Sequence, residues 1–186
     1  MRGQEISLYA EDNFNVNAKV QSECRCTATS LFQHTREKLL FASSPRLSAR
    51  YDLGQGYSAK ASYTCMAQYV HLLSSTPLSM PTDLWVPITK DISPMYANQF
   101  SIGGYYSGLP GWEFSVEGYY KQMKHILEYQ DGVSFFGTST NWEEKVEMGE
   151  GRSFGLELMV QKTLGKTTGW LAYTLSKTDH RFKNGT

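Results

Sequence analysis

The feature that most limits how this chain can fold is the two-residue alternation over residues 46–69. Leu47, Ala49, Tyr51 and Leu53 fall on one side of an extended segment, and Arg46, Ser48, Arg50 and Asp52 on the other, because successive strand side chains point to opposite faces. After Gly54-Gln55-Gly56 the alternation resumes, with Tyr57, Ala59, Ala61, Tyr63, Cys65, Ala67 and Tyr69 opposing Ser58, Lys60, Ser62, Thr64, Met66 and Gln68. Two such runs about a glycine turn predict a long amphipathic hairpin.

The same pattern recurs. Residues 99–106 and 112–122 alternate about 107–111, and residues 152–162 and 167–176 about 163–166. Near the start, Ile6, Leu8 and Ala10 oppose Ser7, Tyr9 and Glu11, which predicts a first strand over residues 4–12, a turn at 12–15 and a second strand from Val16. Residues 21–44 lose the alternation, and 36–40 read as readily as a helical turn.

Tight turns therefore fall near residues 14, 55, 110 and 165, and every other connection is long, as over 70–96 with Pro77, Pro81, Pro87 and Pro94, and over 124–151. One rim of short turns and one of long loops is the habit of a membrane barrel. Residues 57–69 and 112–122 also meet the roughly 9 to 11 residues a tilted strand needs to cross the hydrocarbon, beyond the usual strand of about five or six. The expected fold is all-β, with about eight antiparallel strands, paired in hairpins, forming part of a transmembrane β-barrel.

Composition agrees and narrows the partners. Twelve Tyr, nine Phe and four Trp against six Pro suit β-structure. Eighteen basic residues balance eighteen acidic ones, which leaves no basic field for nucleic acid. No apolar run is long enough for a membrane helix, a test that barrel strands do not register. An Arg facing lipid costs about 2–4 kcal/mol near the midplane. Arg46, Arg50, Lys60, Glu113, Glu117, Lys121 and Glu157 are therefore expected to face the lumen, and Leu47, Tyr51 and Tyr63 the lipid, with Tyr57 and Tyr69 in two aromatic girdles.

Three segments carry a family resemblance. Tyr69-Val70-His71-Leu72-Leu73 with Leu78-Ser79-Met80-Pro81-Thr82-Asp83-Leu84-Trp85-Val86-Pro87 is the first; residues 114–123 leading to Leu127-Glu128-Tyr129-Gln130-Asp131-Gly132 are the second; and residues 141–149 and 151–157, ending in 168–177, are the third. Together they resemble the barrel of TonB-dependent outer-membrane receptors in their Bacteroidetes-type form, most closely over 45–182. The resemblance implies location in the bacterial outer membrane and a wide barrel closed by an N-terminal plug. It also implies uptake of a scarce or bulky nutrient, such as an iron chelate, cobalamin or a glycan, energised through TonB. The whole of 1–186 reads as a partial barrel domain, a fragment without plug or signal peptide, touching outer-membrane lipid and a small-molecule ligand, and reaching TonB only through the missing plug. The irregular stretch 21–44 reads as a departure from the family pattern, as a local reading-frame disturbance would produce.

Candidate ligand contacts are loop aromatics and charges: His71, Asp83, Trp85, Tyr129, Asp131 and Trp142. Aromatic faces stack on sugars or chelate rings, and carboxylates orient them. For His71 alone, solvent exposure in a loop is the plainer expectation. Glu143, Glu144 and Glu147 read as a solvated charged loop, and Gly54-x-Gly56 as turn glycine without a following helix. Cys24, Cys26 and Cys65 lack zinc spacing. No catalytic arrangement, metal site or cofactor motif is legible, so the chain is not expected to be an enzyme. The competing reading is a soluble β-sandwich that binds carbohydrate.

Overall fold

The computed structural model describes residues 3–17, 20–33, 38–73, 84–89, 92–130 and 142–182. Among these described residues ten strands are formed: β1 (Gly3–Asn17), β2 (Val20–Gln33), β3 (Lys38–Gly54), β4 (Tyr57–Gln68), β5 (Val70–Leu73), β6 (Leu84–Pro87), β7 (Met95–Tyr106), β8 (Trp112–Tyr129), β9 (Val146–Lys162) and β10 (Gly169–Arg181). Eight make one antiparallel sheet in the order β1-β2-β3-β4-β7-β8-β9-β10, and β5 pairs with β6. This is a single meander of long strands, not two packed sheets, so the sandwich alternative is set aside.

The register aligns the faces across the sheet. Arg50, Lys60, Gly103, Glu117 and Glu157 are successive cross-strand partners and form one row of the polar face. Ala49, Ala61, Ile102, Gly118, Leu156 and Leu175 form the next row, on the apolar face. The following apolar row is Leu47, Tyr63, Phe100, Tyr120 and Phe154, closed by Lys177. The alternation that sets Arg50 and Lys60 on one face and Tyr51 and Tyr63 on the other is thus kept through five or more strands.

One rim carries tight turns. Gln55 and its flanking Gly54 and Gly56 all take positive φ, the Gly54 N–H donates to Asp52 Oδ1 at 2.8 Å, and a Cβ on Gly56 would collide with the Gly108 backbone of the neighbouring turn. Only glycine fits there.

Several expectations are corrected at the other rim and near the start. β1 runs through Val16 to Asn17, so no turn forms at 12–15. Asn13 and Asn15 pair with Glu23 and Gln21 and belong to the strand's polar row. Residues 21–44 are not irregular in backbone where described: β2 pairs with β3 without a break from Val20↔Tyr51 to Gln33↔Lys38. Backbone pairing here does not need side-chain alternation. Lys38–Leu40 is strand rather than helical turn, while Arg36 and Glu37 lie outside the described residues. β8 continues to Tyr129, and the connection expected over 124–151 shrinks to 130–145.

Candidate functional site

The long-loop rim is built around a break in β8. His125 takes φ 59°, and the β8–β9 register slips between Lys124 and Ile126. An extra residue in one strand re-aims the residues beyond it, so β8 carries on past the slip as a second ladder, Ile126↔Gly149 to Tyr129↔Val146. His125 Nδ1 lies 3.0 Å from the Pro94 carbonyl and its ring meets Tyr96 edge-on at 6.4 Å. These contacts tie the segment before β7 to the extended β8.

The β5–β6 hairpin sits on this extension. Pairing sets His71 opposite Val86 and Leu72 opposite Trp85, and the alternation gives the hairpin a buried and an exposed side. Leu73, Val86 and Ile92 pack with Leu127 and Val146, flanked by Tyr129 and Met148. Tyr69 and Ile88 form a second cluster with Ala67 and Tyr96, fastened by the Ile88 N–H donating to the Tyr69 carbonyl at 3.0 Å. Tyr69 is 4% exposed and so is core rather than girdle. Tyr63, Phe100, Tyr120 and Phe154 form an aromatic row on the apolar face, and at the tight-turn end the Tyr57 ring lies 4.4 Å from that of Tyr106.

The six candidate residues separate accordingly. His71 is 3% exposed, against the expected solvated loop position; burial holds its imidazole below the ordinary range, partly offset by a backbone hydrogen bond at Ser93, and His125 lowers it further. Its Nε2 has no hydrogen-bond partner among the described residues. Trp85, on the opposite side of the same hairpin, is 63% exposed. Tyr129 is half-buried beneath the hairpin. Trp142 opens a 3₁₀ turn, Trp142–Lys145, that leads into β9, and the Gln130 N–H closes this loop's base on the Lys145 carbonyl at 3.0 Å. Asp83 and Asp131 lie outside the described residues. The structure therefore joins His71, Trp85 and Tyr129 through one hairpin and places Trp142 at the foot of the next loop.

Sequence reasoning passed over His125 as a positioning residue. Its one signal was the loss of alternation at Lys124-His125-Ile126. Among the described residues no three His, Cys, Asp or Glu side chains converge as a metal site would need.

Nearer the tight turns, the polar face carries a cavity of about 460 Å³ lined by Arg50, Lys60, Tyr105, Glu113 and Glu117 among others. The Tyr105 hydroxyl donates to Glu117 Oε1 at 2.7 Å and Arg50 Nη2 donates to Ser58 Oγ at 3.3 Å.

A meander of long strands with an apolar outer belt, a charged inner face and tight turns at one rim defines a class: the wall of an outer-membrane β-barrel. The chain belongs to the TonB-dependent receptor barrel family, since residues 1–186 match the family described as TonB dependent receptor-like, beta-barrel. Its place is the outer membrane of Gram-negative bacteria. No curated protein matches. Among solved structures, the chain is similar to the ferric-catecholate import receptor Fiu from E. coli, with TM-score 0.63 and 15% identity over 98% of this chain and 28% of that one. It is similar also to the alcaligin outer-membrane receptor FauA from Bordetella pertussis, with TM-score 0.60 and 16% identity over 99% of this chain and 31% of that one. The FrpB iron transporter from Neisseria meningitidis gives TM-score 0.60 and 14% identity over 97% of this chain and 26% of that one. The chain thus spans less than a third of these receptors' lengths, and at such identities the likeness is one of fold.

Proposed function

We propose that these residues form part of the wall and outer rim of a receptor that imports a scarce or bulky nutrient, an iron chelate, cobalamin or a glycan. The single observation that carries the reading is the row of charges on the polar face, Arg50, Lys60, Glu117 and Glu157, broken only at Gly103 as it crosses β3, β4, β7, β8 and β9, beneath the β5–β6 hairpin. Such a wall suits the passage of a polar solute, and transport is the role its receptor family implies. The neighbours named for ferric catecholate and alcaligin favour an iron chelate among the three. Segments 114–132 and 141–157 support the Bacteroidetes-type form, and 1–186 as one barrel region. The apolar belt would meet membrane lipid. TonB would act through a plug rather than through wall residues.

Of the loop residues, Trp85 has the best support as a ligand contact, because the hairpin presents it outward while holding its backbone on a packed core. Asp83 precedes the same strand, and Asp131 and Trp142 belong to the adjoining loop. His71 and Tyr129 would act through the hairpin's position. Uptake of labelled ferric chelates, cobalamin and oligosaccharides by cells expressing the full receptor tests the reading. Accumulation of one class should stop when TonB is removed and fall in Trp85→Ala. Accumulation indifferent to TonB for every class would sink it.

A further inference from the structure

The cap meets the wall through a short strap of backbone. The β5–β6 hairpin is two four-residue strands, too little to hold itself in water. Beyond it the chain turns, with the Thr89 N–H donating to the Ile92 carbonyl at 3.2 Å. It then buries Ile92 with Leu73 and Val86 and reaches β7 through Ser93 and Pro94. Pro94 has no N–H to give to a ladder, and the first ladder pair on this side of β7 is Met95 with Gln68. Two imidazoles take up the backbone in between. His71, from β5, bonds the Ser93 backbone, and His125, from the bulge in β8, bonds the Pro94 carbonyl at 3.0 Å. A carbonyl only accepts, so His125 donates through Nδ1. His71 Nε2 has no hydrogen-bond partner among the described residues, so its bond to Ser93 runs through the other ring nitrogen. One histidine belongs to the hairpin and the other to the wall, and consecutive residues of the strap lie between them.

Such a fastening accepts neutral imidazoles and resists a charged one. A proton taken up by His71 would add an N–H at Nε2, in a site 3% exposed and without an acceptor among the described residues, and an uncompensated buried charge is costly. The surrounding groups do not relieve it. β5 and β6 carry no other ionisable side chain. From β8, His125 acts on His71, and a second cation there repels. Glu128 on β8 and Glu147 on β9 alternate with Leu127, Tyr129, Val146 and Met148, the residues against the hairpin, and so lie on the other face. Lys124 and Glu150 are partners of each other on the far side of the register slip, and Glu143, Glu144 and Lys145 belong to the 3₁₀ turn of the next loop. We propose that His71 and His125 form an acid-released clasp, which holds the cap to the wall while both rings are neutral and lets hairpin and strap lift together when His71 is protonated. Burial, and then His125, hold His71 below its ordinary value of 6.5, so the clasp is closed at neutral pH and opens as pH falls below that value. Trp85 rides on the hairpin, and the ligand contact proposed above would go with it; that consequence rests on the ligand reading, whereas the clasp does not.

Amide hydrogen exchange of the full receptor in bilayer vesicles, at about pH 7.5 and about pH 5.5 with exchange times scaled for the intrinsic rate, tests the clasp. β5, β6 and residues 92–95 should lose about tenfold of their protection together in acid, while β9 and β10 keep theirs. His71→Phe should stay closed at both pH values. His125→Gly keeps the positive φ of the bulge but gives up the Pro94 carbonyl, so residues 92–95 should lose about fivefold of their protection already at the higher pH. Glu128→Gln with Glu147→Gln should leave the acid response as it was, although Glu147 Oε2 is itself buried without a partner among the described residues. Protection that is the same at both pH values overturns the clasp. So does a hairpin that loosens in acid without residues 92–95, or an acid response that survives His71→Phe or vanishes in the glutamine pair. A ferric catecholate, used as the probe, that binds and then stays bound while the cap opens would instead overturn the role of Trp85.

Discussion

The loop cap and the strand wall place apolar side chains in opposite settings. In the cap Leu73, Val86, Ile88 and Ile92 are 0–3% exposed, whereas on the wall Leu156, Tyr173, Leu175 and Ile102 are 44–69% exposed. Both are rich in the same residue types. The cap is held by burial within the protein, as a water-soluble domain is, while the belt is left exposed among the described residues, and in the proposed membrane setting hydrocarbon would cover it. Their stabilities should therefore respond to different substitutions and different surroundings.

Truncating the cap's centre should have the largest effect. Leu73→Ala removes a side chain 1% exposed and should loosen the hairpin by about 2–5 kcal/mol, read as faster amide exchange in β5 and β6 with β7–β10 unchanged. Exchange that quickened equally along the wall would show one cooperative unit and break the distinction. Next comes the belt: Leu156→Arg puts a charge in the middle apolar row and should cost about 2–4 kcal/mol on folding into bilayers, while the cap's exchange stays as it was. A substitution as harmless in vesicles as at a loop site would remove lipid from the account of this face.

Acid should separate the two regions more gently. His71 titrates lower in the folded protein than its ordinary value of 6.5, chiefly through burial, with His125 adding repulsion. The opened hairpin then binds the proton more readily than the closed one, so cap stability is full above that value and falls as pH drops through it. The slope is at most about 1.4 kcal/mol per pH unit. Proteolysis of residues 70–95 followed from pH 8 to 5 measures it, and His71→Phe should flatten the dependence. A cap whose protection ignored pH would mean that His71 is solvated in both states.

The wall was legible because a period of two is written directly into residues 46–69, 112–122 and 152–162, and a barrel strand must keep one face apolar and the other polar. The cap was not legible in that way. Its fold depends on contacts between Leu73, Val86, Leu127 and Val146, far apart in sequence, and on a bulge at His125 that local pattern shows only as a lapse. Hence His71 read as a solvated loop residue and Tyr69 as girdle, while Trp85 and Trp142 stayed candidates by residue type. β2 failed to show for the converse reason, since backbone pairing with β1 and β3 carries it where side-chain alternation fades.

The smallest expected effect lies inside the wall, where the register makes one arrangement unfavourable. Glu117 and Glu157 are direct cross-strand partners on the polar face, and like charges directly opposite repel. Glu117 has a donor in Tyr105, at 2.7 Å, and Gly103 on its other side offers no side chain to compete. Glu157→Gln should relieve the repulsion and stabilise the wall by about 0.2–1 kcal/mol, without altering the acid response of the cap. Glu117→Gln should gain less, because the same change weakens the hydrogen bond from Tyr105. Denaturant midpoints of the two variants in vesicles provide the measurement. If Glu117→Gln proved the more stabilising, the Tyr105 bond would contribute nothing, and charge on this face would be set by the row as a whole instead of by neighbouring pairs.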